Sequence, residues 1–226
     1  MSRRLIVVTG GLSQPSSTRL LSDRISDAVI AAIEARGEAV DVDVVELRDL
    51  AGDLATMMTT HVPTPELREA RERVSQADGL IAVTPVFTAS YSGLFKMFFD
   101  ALDTDSLRGM PTIIAATAGT ARHSLVLDHA MRPLFAFLNA VVVPTGIFAA
   151  TEDFGGGVGS DGEGLSGRIR RAADELAALM VADRAGVEGF VPTHSTRPRS
   201  SGNIVPGVSA GPGGSAFEAL LQSHLQ

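Results

Sequence analysis

The chain has 226 residues, 45% of them hydrophobic, with a formal net charge of −7 and no cysteine. Those figures suit one ordinary soluble domain with an appendage, and they argue against wholesale disorder or a nucleic-acid surface. Without cysteine there are no disulfides, thiolate metal sites, iron–sulfur clusters or cysteine nucleophiles.

The chain opens on MSRRLIVVTGG, whose four consecutive aliphatic residues are too few for the apolar region of a signal peptide. No stretch reaches the ~20 apolar residues of a membrane span. The expectation is a cytoplasmic protein. LIVVT (5–9), GLIAVT (79–84), PTIIAAT (111–117) and AVVVPTGIF (140–148) are apolar runs. Continuous apolar character means burial on both faces, as in parallel strands. VDVDVVEL (40–47) alternates instead, which suits a strand near an edge.

Helical patterns fill the intervals. Leu21, Ile25, Val29 and Ile33 stand four residues apart within 16–36, and Gly37 supplies a stop. Residues 66–76 form a charged amphipathic segment behind Pro65, and residues 92–103 and 124–139 are strongly apolar. A last helix spans 165–181, after a Gly-rich loop. The alternation predicts an α/β fold of doubly wound, three-layer form, with a five-stranded parallel sheet in domain 1–185. Residues 186–226 hold seven Gly, four Pro and six Ser, a linker-like composition, and they end in SAFEALLQSHLQ. That predicts a flexible C-terminal tail with a short helical tip, either a plain end or an arm that docks on another subunit or partner.

Several pattern matches fail on context. GVGSDG (157–162) and GEGLSG (162–167) both fit G-x-G-x-x-G, yet neither opens the first strand–turn–helix unit. GVSAG (207–211) fits a nucleophile elbow but has no strand before it. Histidines 61, 123, 129, 194 and 224 lack zinc spacing, so no metal site is expected.

The informative residues follow the strands, where open α/β sheets bind ligands. After the first strand, TGGLSQPSSTRLL (9–21) offers two glycines, then Ser13, Ser16, Ser17 and Thr18 at a helix start, with Arg19 beside them. Helix-start N–H groups with hydroxyl donors make a phosphate site without lysine, whereas a single Ser or Thr would serve as a cap. TPVFTASYSGLFKMFFD (84–100) carries Pro85, Phe87 and Tyr91 out of a strand. ATAGTARHS (116–124) supplies small residues that let a planar ligand approach, then His123, a ligand contact or a cap. A phosphorylated planar ligand fits this set, and flavin mononucleotide (FMN) fits better than a dinucleotide.

These three segments resemble the NADPH-dependent FMN reductase family of flavodoxin-like folds, most nearly its two-component monooxygenase reductase branch. GGLSQPSST is similar to the family's phosphate loop, though it lacks the usual Arg before the hydroxyls. TPVFTASYSGLFKMFFD is similar to T-P-x-Y-x-x-S-x-S-G-x-x-K-x-x-x-D, with Phe87 in the Tyr position. ATAGTARHSLVLDHAMRPLFAFLNAVVVPTGIFA resembles the third loop, helix and final strand, including A-x-[KR]-P at 130–133. The resemblance implies FMN and NADPH (or NADH) as cofactors. Hydride would pass from nicotinamide to flavin with no catalytic residue in the strict sense, and FMN would be either a resident group or a departing substrate. Ser13, Ser16, Ser17 and Thr18 would hold the phosphate; Thr84, Pro85, Val86 and Phe87 would line the ring. Tyr91 and Ser92 would support that loop, and Thr117, Ala118, Gly119, Thr120 and His123 would close the far side. It further implies a homodimer or homotetramer and a flavin-dependent monooxygenase partner. In some such reductases a Tyr makes a π-bulge at a subunit contact; the matching position here is His129. Alternatives are an NAD(P)H:quinone or azo reductase and a non-enzymatic flavodoxin-type electron carrier.

Overall fold

The structure, a computed structural model, describes residues 2–155 and 164–182. The expected tail at 186–226 and the Gly-rich stretch before the last helix lie outside the described residues.

β1 (Ser2–Thr9) pairs in parallel with the edge strand β2 (Ala39–Glu46) on one side and with the central strand β3 (Gly79–Phe87) on the other. β3 pairs onward with β5 (Pro111–Ala118), and β5 with two short strands, β6 (Val141–Val142) and β7 (Ile147–Ala150). The order β2-β1-β3-β5-β6 is the flavodoxin-like one, and it reverses direction between β1 and β3. The sequence predicts one strand where the structure has β6 and β7. Pro144 lacks an N–H and interrupts the ladder between them. Arg132 donates to the carbonyls of Val143 (3.2 Å) and Pro144 (3.1 Å), and Glu175 accepts from Thr145 N and Oγ1 at 2.8 Å each. The interruption is therefore held from both sides.

α1 (Ser17–Glu34) and α6 (Gly164–Ala182) cover one face. Leu21, Ile25, Val29 and Ile33 are fully buried there, beside Leu5 and Val7 of β1. Gly37, at φ +78°, turns the chain into β2. On the other face lie α2 (Ala51–Thr60), α3 (Pro65–Ser75), α4 (Gly93–Asp100) and α5 (Arg132–Phe137). Phe95 and Phe99 meet at a tilt with ring centroids 4.7 Å apart, and Phe135 meets Phe99 edge-on at 4.9 Å. These rings are buried in the core, and truncating any one costs about 3–5 kcal/mol. The edge strand β2 carries Asp41 and Asp43, and Asp43 is bound by Arg73 at 2.5 and 2.6 Å. Charge on an open edge discourages pairing with another chain.

Between β5 and α5 the helix starts irregularly. A single tight turn at Ala121–His123 leads into a π-turn, Leu127–Met131, in which Arg132 N donates to Leu127 O. Pro133 explains the widening. It offers no N–H, and its ring would strike the carbonyl of His129 in a regular helix. The matching position named above, His129, thus sits inside a π-turn, and its side chain is exposed.

Candidate functional site

Three connections leave the carboxyl ends of β1, β3 and β5 beside the point where the strand order reverses. The first is built on close approach. Gly10 N donates to Val83 O at 2.8 Å, carrying the ladder one residue past β1. A Cβ on Gly10 would lie 3.3 Å from Ser92 Oγ and 3.4 Å from Pro85 Cδ, so the first connection rests on the second. A Cβ on Gly11 would lie 2.2 Å from Ser16 Oγ and 3.1 Å from Thr18 Cβ. Only glycine lets the loop of this candidate cradle pack so closely on the start of α1.

The four hydroxyls divide by task. Ser16 is the N-cap of α1, its Oγ accepting from Arg19 N at 3.2 Å. Thr18 Oγ1 and Thr117 Oγ1 lie 2.9 Å apart in a buried hydrogen bond that ties the first connection to the end of β5. Ser13 and Ser17 are exposed, and their hydroxyls bond to no described residue. The N–H groups of Ser17 and Thr18, in the first turn of α1, have no intrahelical acceptor. Thr9, just before the loop, has a buried hydroxyl without a partner.

Arg19 does not lend its charge to this cradle. Its guanidinium bonds Asp23 at 2.7 Å and also Glu46, and its pKa is raised, first by the Asp23 hydrogen bond and further by Glu46. Arg48 shares Glu46 at 3.0 Å and meets Asp49 at 3.3 Å.

The second connection is a hairpin. Val86 pairs with Tyr91 and Phe87 with Ser90, which makes Ser90–Tyr91 a short antiparallel strand, β4. The two turn residues, Thr88 (φ 49°) and Ala89 (φ 65°), both lie in the left-handed region, as a type I′ turn demands. Thr84 is buried beneath it. Its hydroxyl donates to Pro85 O at 2.9 Å and accepts from Ser92 N at 3.0 Å. Ser92, also buried, caps α4 by accepting from Phe95 N at 3.2 Å. Pro85 is buried opposite Thr117, Val86 and Tyr91 are half-buried, and Phe87 is 47% exposed. Tyr91 leans on Phe95 at 6.0 Å. In the third connection Ala118 is half-buried, whereas Gly119, Thr120 and His123 are exposed. The space over Gly119 is open, with no protein atom within 4 Å of an added Cβ.

All fifteen sequence-predicted site residues thus lie on three adjoining connections. Thr84, Ser92, Thr18 and Thr117 spend their hydroxyls bracing them. Ser13, Ser17, Phe87, Gly119, Thr120 and His123 form the accessible surface. Sequence reasoning missed the hairpin turn, because Thr-Ala lacks the Asn-Gly signature. It also missed the Glu46–Arg19–Arg48 network, for no local pattern joins the end of β2 to α1.

The site fits FMN in its chemistry. Uncommitted N–H and O–H donors stand at the start of α1, and the third connection leaves open space over Gly119 for a planar ring.

Fold and loops together define a flavodoxin-like α/β protein whose carboxyl-edge loops suit a mononucleotide. The sequence profile of the NADPH-dependent FMN reductase family matches residues 3–155, and the chain belongs to that family. It is 38% identical over 178 residues to an FMN reductase (NADPH) of Pseudomonas aeruginosa, covering 78% of this chain and 91% of that one. It is 40% identical over 151 residues to the NADH-dependent FMN reductase SfnF of Pseudomonas putida, covering 67% and 79%. A solved oxidoreductase of Corynebacterium diphtheriae is 61% identical, superposes with a TM-score of 0.76, and covers 80% of this chain and 98% of its own.

Proposed function

We propose that this chain is an NAD(P)H-dependent FMN reductase. The observation that carries the reading is the start of α1, where Gly11 lets the first connection pack against Ser16 and the fold leaves the Ser13 and Ser17 hydroxyls and two first-turn N–H groups unused. When bound, FMN supplies the chemistry, accepting a hydride from the nicotinamide. The chain holds and orients. Ser13, Ser17 and the first-turn N–H groups take the phosphate, with Ser16 and Thr18 fixing their geometry. Pro85, Val86 and Phe87 present the hairpin face to the ring, stiffened from behind by Thr84, Tyr91 and Ser92. Thr117, Ala118, Gly119, Thr120 and His123 border its other side. Because Phe87 has no hydroxyl, the hairpin holds the ring by shape and backbone. The relatives carry both NADPH and NADH in their names, so both donors belong in the assay.

The physiological arrangement is a cytoplasmic homo-oligomer that passes reduced flavin to a partner monooxygenase. Support for self-association comes from one helical face: Leu125 (63% exposed), His129, Pro133 and Phe137 (76% exposed) recur every four residues, with Val141 (44%) beyond them. A second copy of this chain covers that face. No described helix is long and apolar enough to cross a membrane.

The test is steady-state oxidation of NADPH and NADH with FMN, FAD or a quinone as acceptor, together with dialysis of the purified protein. FMN-dependent oxidation is expected. Activity only with quinones or azo compounds would move the protein to those reductases, and no oxidation with any acceptor would leave an electron carrier.

A further inference from the structure

We propose that Arg122 is the anion contact for the nicotinamide dinucleotide, meeting a phosphate of that ligand outside the cradle assigned to FMN. This rests on the FMN reductase reading above. Near the carboxyl edge the other cations are committed. Arg19 and Arg48 share Glu46, and Arg168 meets Asp153 at 3.6 Å. Arg132 is bound to Asp128 and two carbonyls, and Arg24 lies over the Phe154 ring at 5.5 Å. Arg122 makes no hydrogen bond, ion pair or ring contact with any described residue. Among the described residues Arg170 is the one other arginine in that condition, and it lies on the exposed face of α6.

Position separates the two. Arg122 stands in the tight turn after Gly119 and Thr120, five residues beyond Thr117, which is hydrogen-bonded to the first connection. From Gly119 to Leu125 every residue is exposed, and residues 117–126 include no carboxylate to cancel the guanidinium. The formal net charge of −7 repels an anionic dinucleotide at long range, so a local cation has most effect where the ligand must dock. The cradle provides for one phosphate, and the hydride donor brings others. A guanidinium fork suits a phosphate in two-point geometry and is desolvated more readily than an ammonium. Sequence reading passed over Arg122 because the adjacent His123 was the more conspicuous polar residue.

The experiment compares Arg122→Ala, Arg122→Lys and the control Arg170→Ala, which removes the same charge elsewhere. It measures KM for NADPH and for NADH, and FMN affinity by fluorescence titration. For Arg122→Ala the KM for NADPH is expected to rise about tenfold, the effect of one charge-assisted hydrogen bond, with the loss larger in KM than in kcat. Arg122→Lys recovers part of it. A rise for NADPH alone assigns the contact to the 2′-phosphate, and a rise for both donors assigns it to the pyrophosphate. Unchanged KM for both donors overturns the proposal. So does an equal rise in Arg170→Ala, or an FMN Kd that rises by the same factor in Arg122→Ala. A wild-type protein that oxidises neither donor overturns the underlying reading as well, a different result from an active enzyme indifferent to Arg122.

Discussion

Among the described residues the Thr18–Thr117 hydrogen bond is the one direct side-chain hydrogen bond between the first and third connections, and it is open to a decisive test. The two oxygens lie 2.9 Å apart, with Thr18 2% and Thr117 4% exposed. Thr18→Val preserves shape but leaves the Thr117 hydroxyl buried without that partner, which costs about 1–3 kcal/mol. Thr117→Val strands Thr18 to the same degree. Replacing both removes the two polar groups together, a change that is nearly neutral in comparable cases. The double variant should therefore be more stable than the sum of the single losses predicts, with a coupling of about 2–6 kcal/mol, the two single losses together. Urea unfolding reads this directly: at a slope of about 2 kcal/mol/M, a 2 kcal/mol loss moves the midpoint by roughly 1 M. Single variants within about 0.5 kcal/mol of wild type, or a double variant as damaged as the summed singles, would refute the tie.

Three further outcomes are expected. Ser16→Ala removes a helix cap and should lower stability by about 1 kcal/mol, whereas Ser13→Ala and Ser17→Ala should weaken FMN binding in fluorescence titrations and leave the urea midpoint in place. Thr88→Asn should raise the midpoint by the equivalent of about 1 kcal/mol, because a β-branched residue at φ 49° is strained and Asn tolerates that region; a lower midpoint would show that the Thr88 side chain makes a stabilising contact that outweighs the strain. Phe137→Glu should shift the protein to a smaller species in light scattering without lowering monomer stability, and an unchanged mass would remove this face as the self-association surface.

How much of this was legible in the sequence depended on whether a local pattern carried the information. The apolar runs at 5–9, 79–84 and 111–117 are buried parallel strands, and alternation at 40–47 marks the edge strand, since burial on two faces and on one leave different periodicities. The last strand was read as continuous although Pro144 stood inside it; the proline's missing N–H had the information, and the flanking valines outweighed it. The helix AGDLATMMTT gives little periodic signal, being ten residues long with Gly52 and three threonines. The site shows the sharpest limit. A cluster of four hydroxyls at a helix start reads as a phosphate loop, but composition is blind to which of them the fold consumes. That assignment depends on Thr117, ninety-nine residues from Thr18, and on a glycine whose absent Cβ leaves room for the Ser16 cap. The segment 84–100 likewise announced an unusual turn without its form. Two positive φ values at Thr88 and Ala89 are affordable only because Thr84, Ser92 and the α4 core fix both ends of the hairpin. The form of that hairpin is thus set by packing at both of its ends, which no local pattern within 84–100 could disclose.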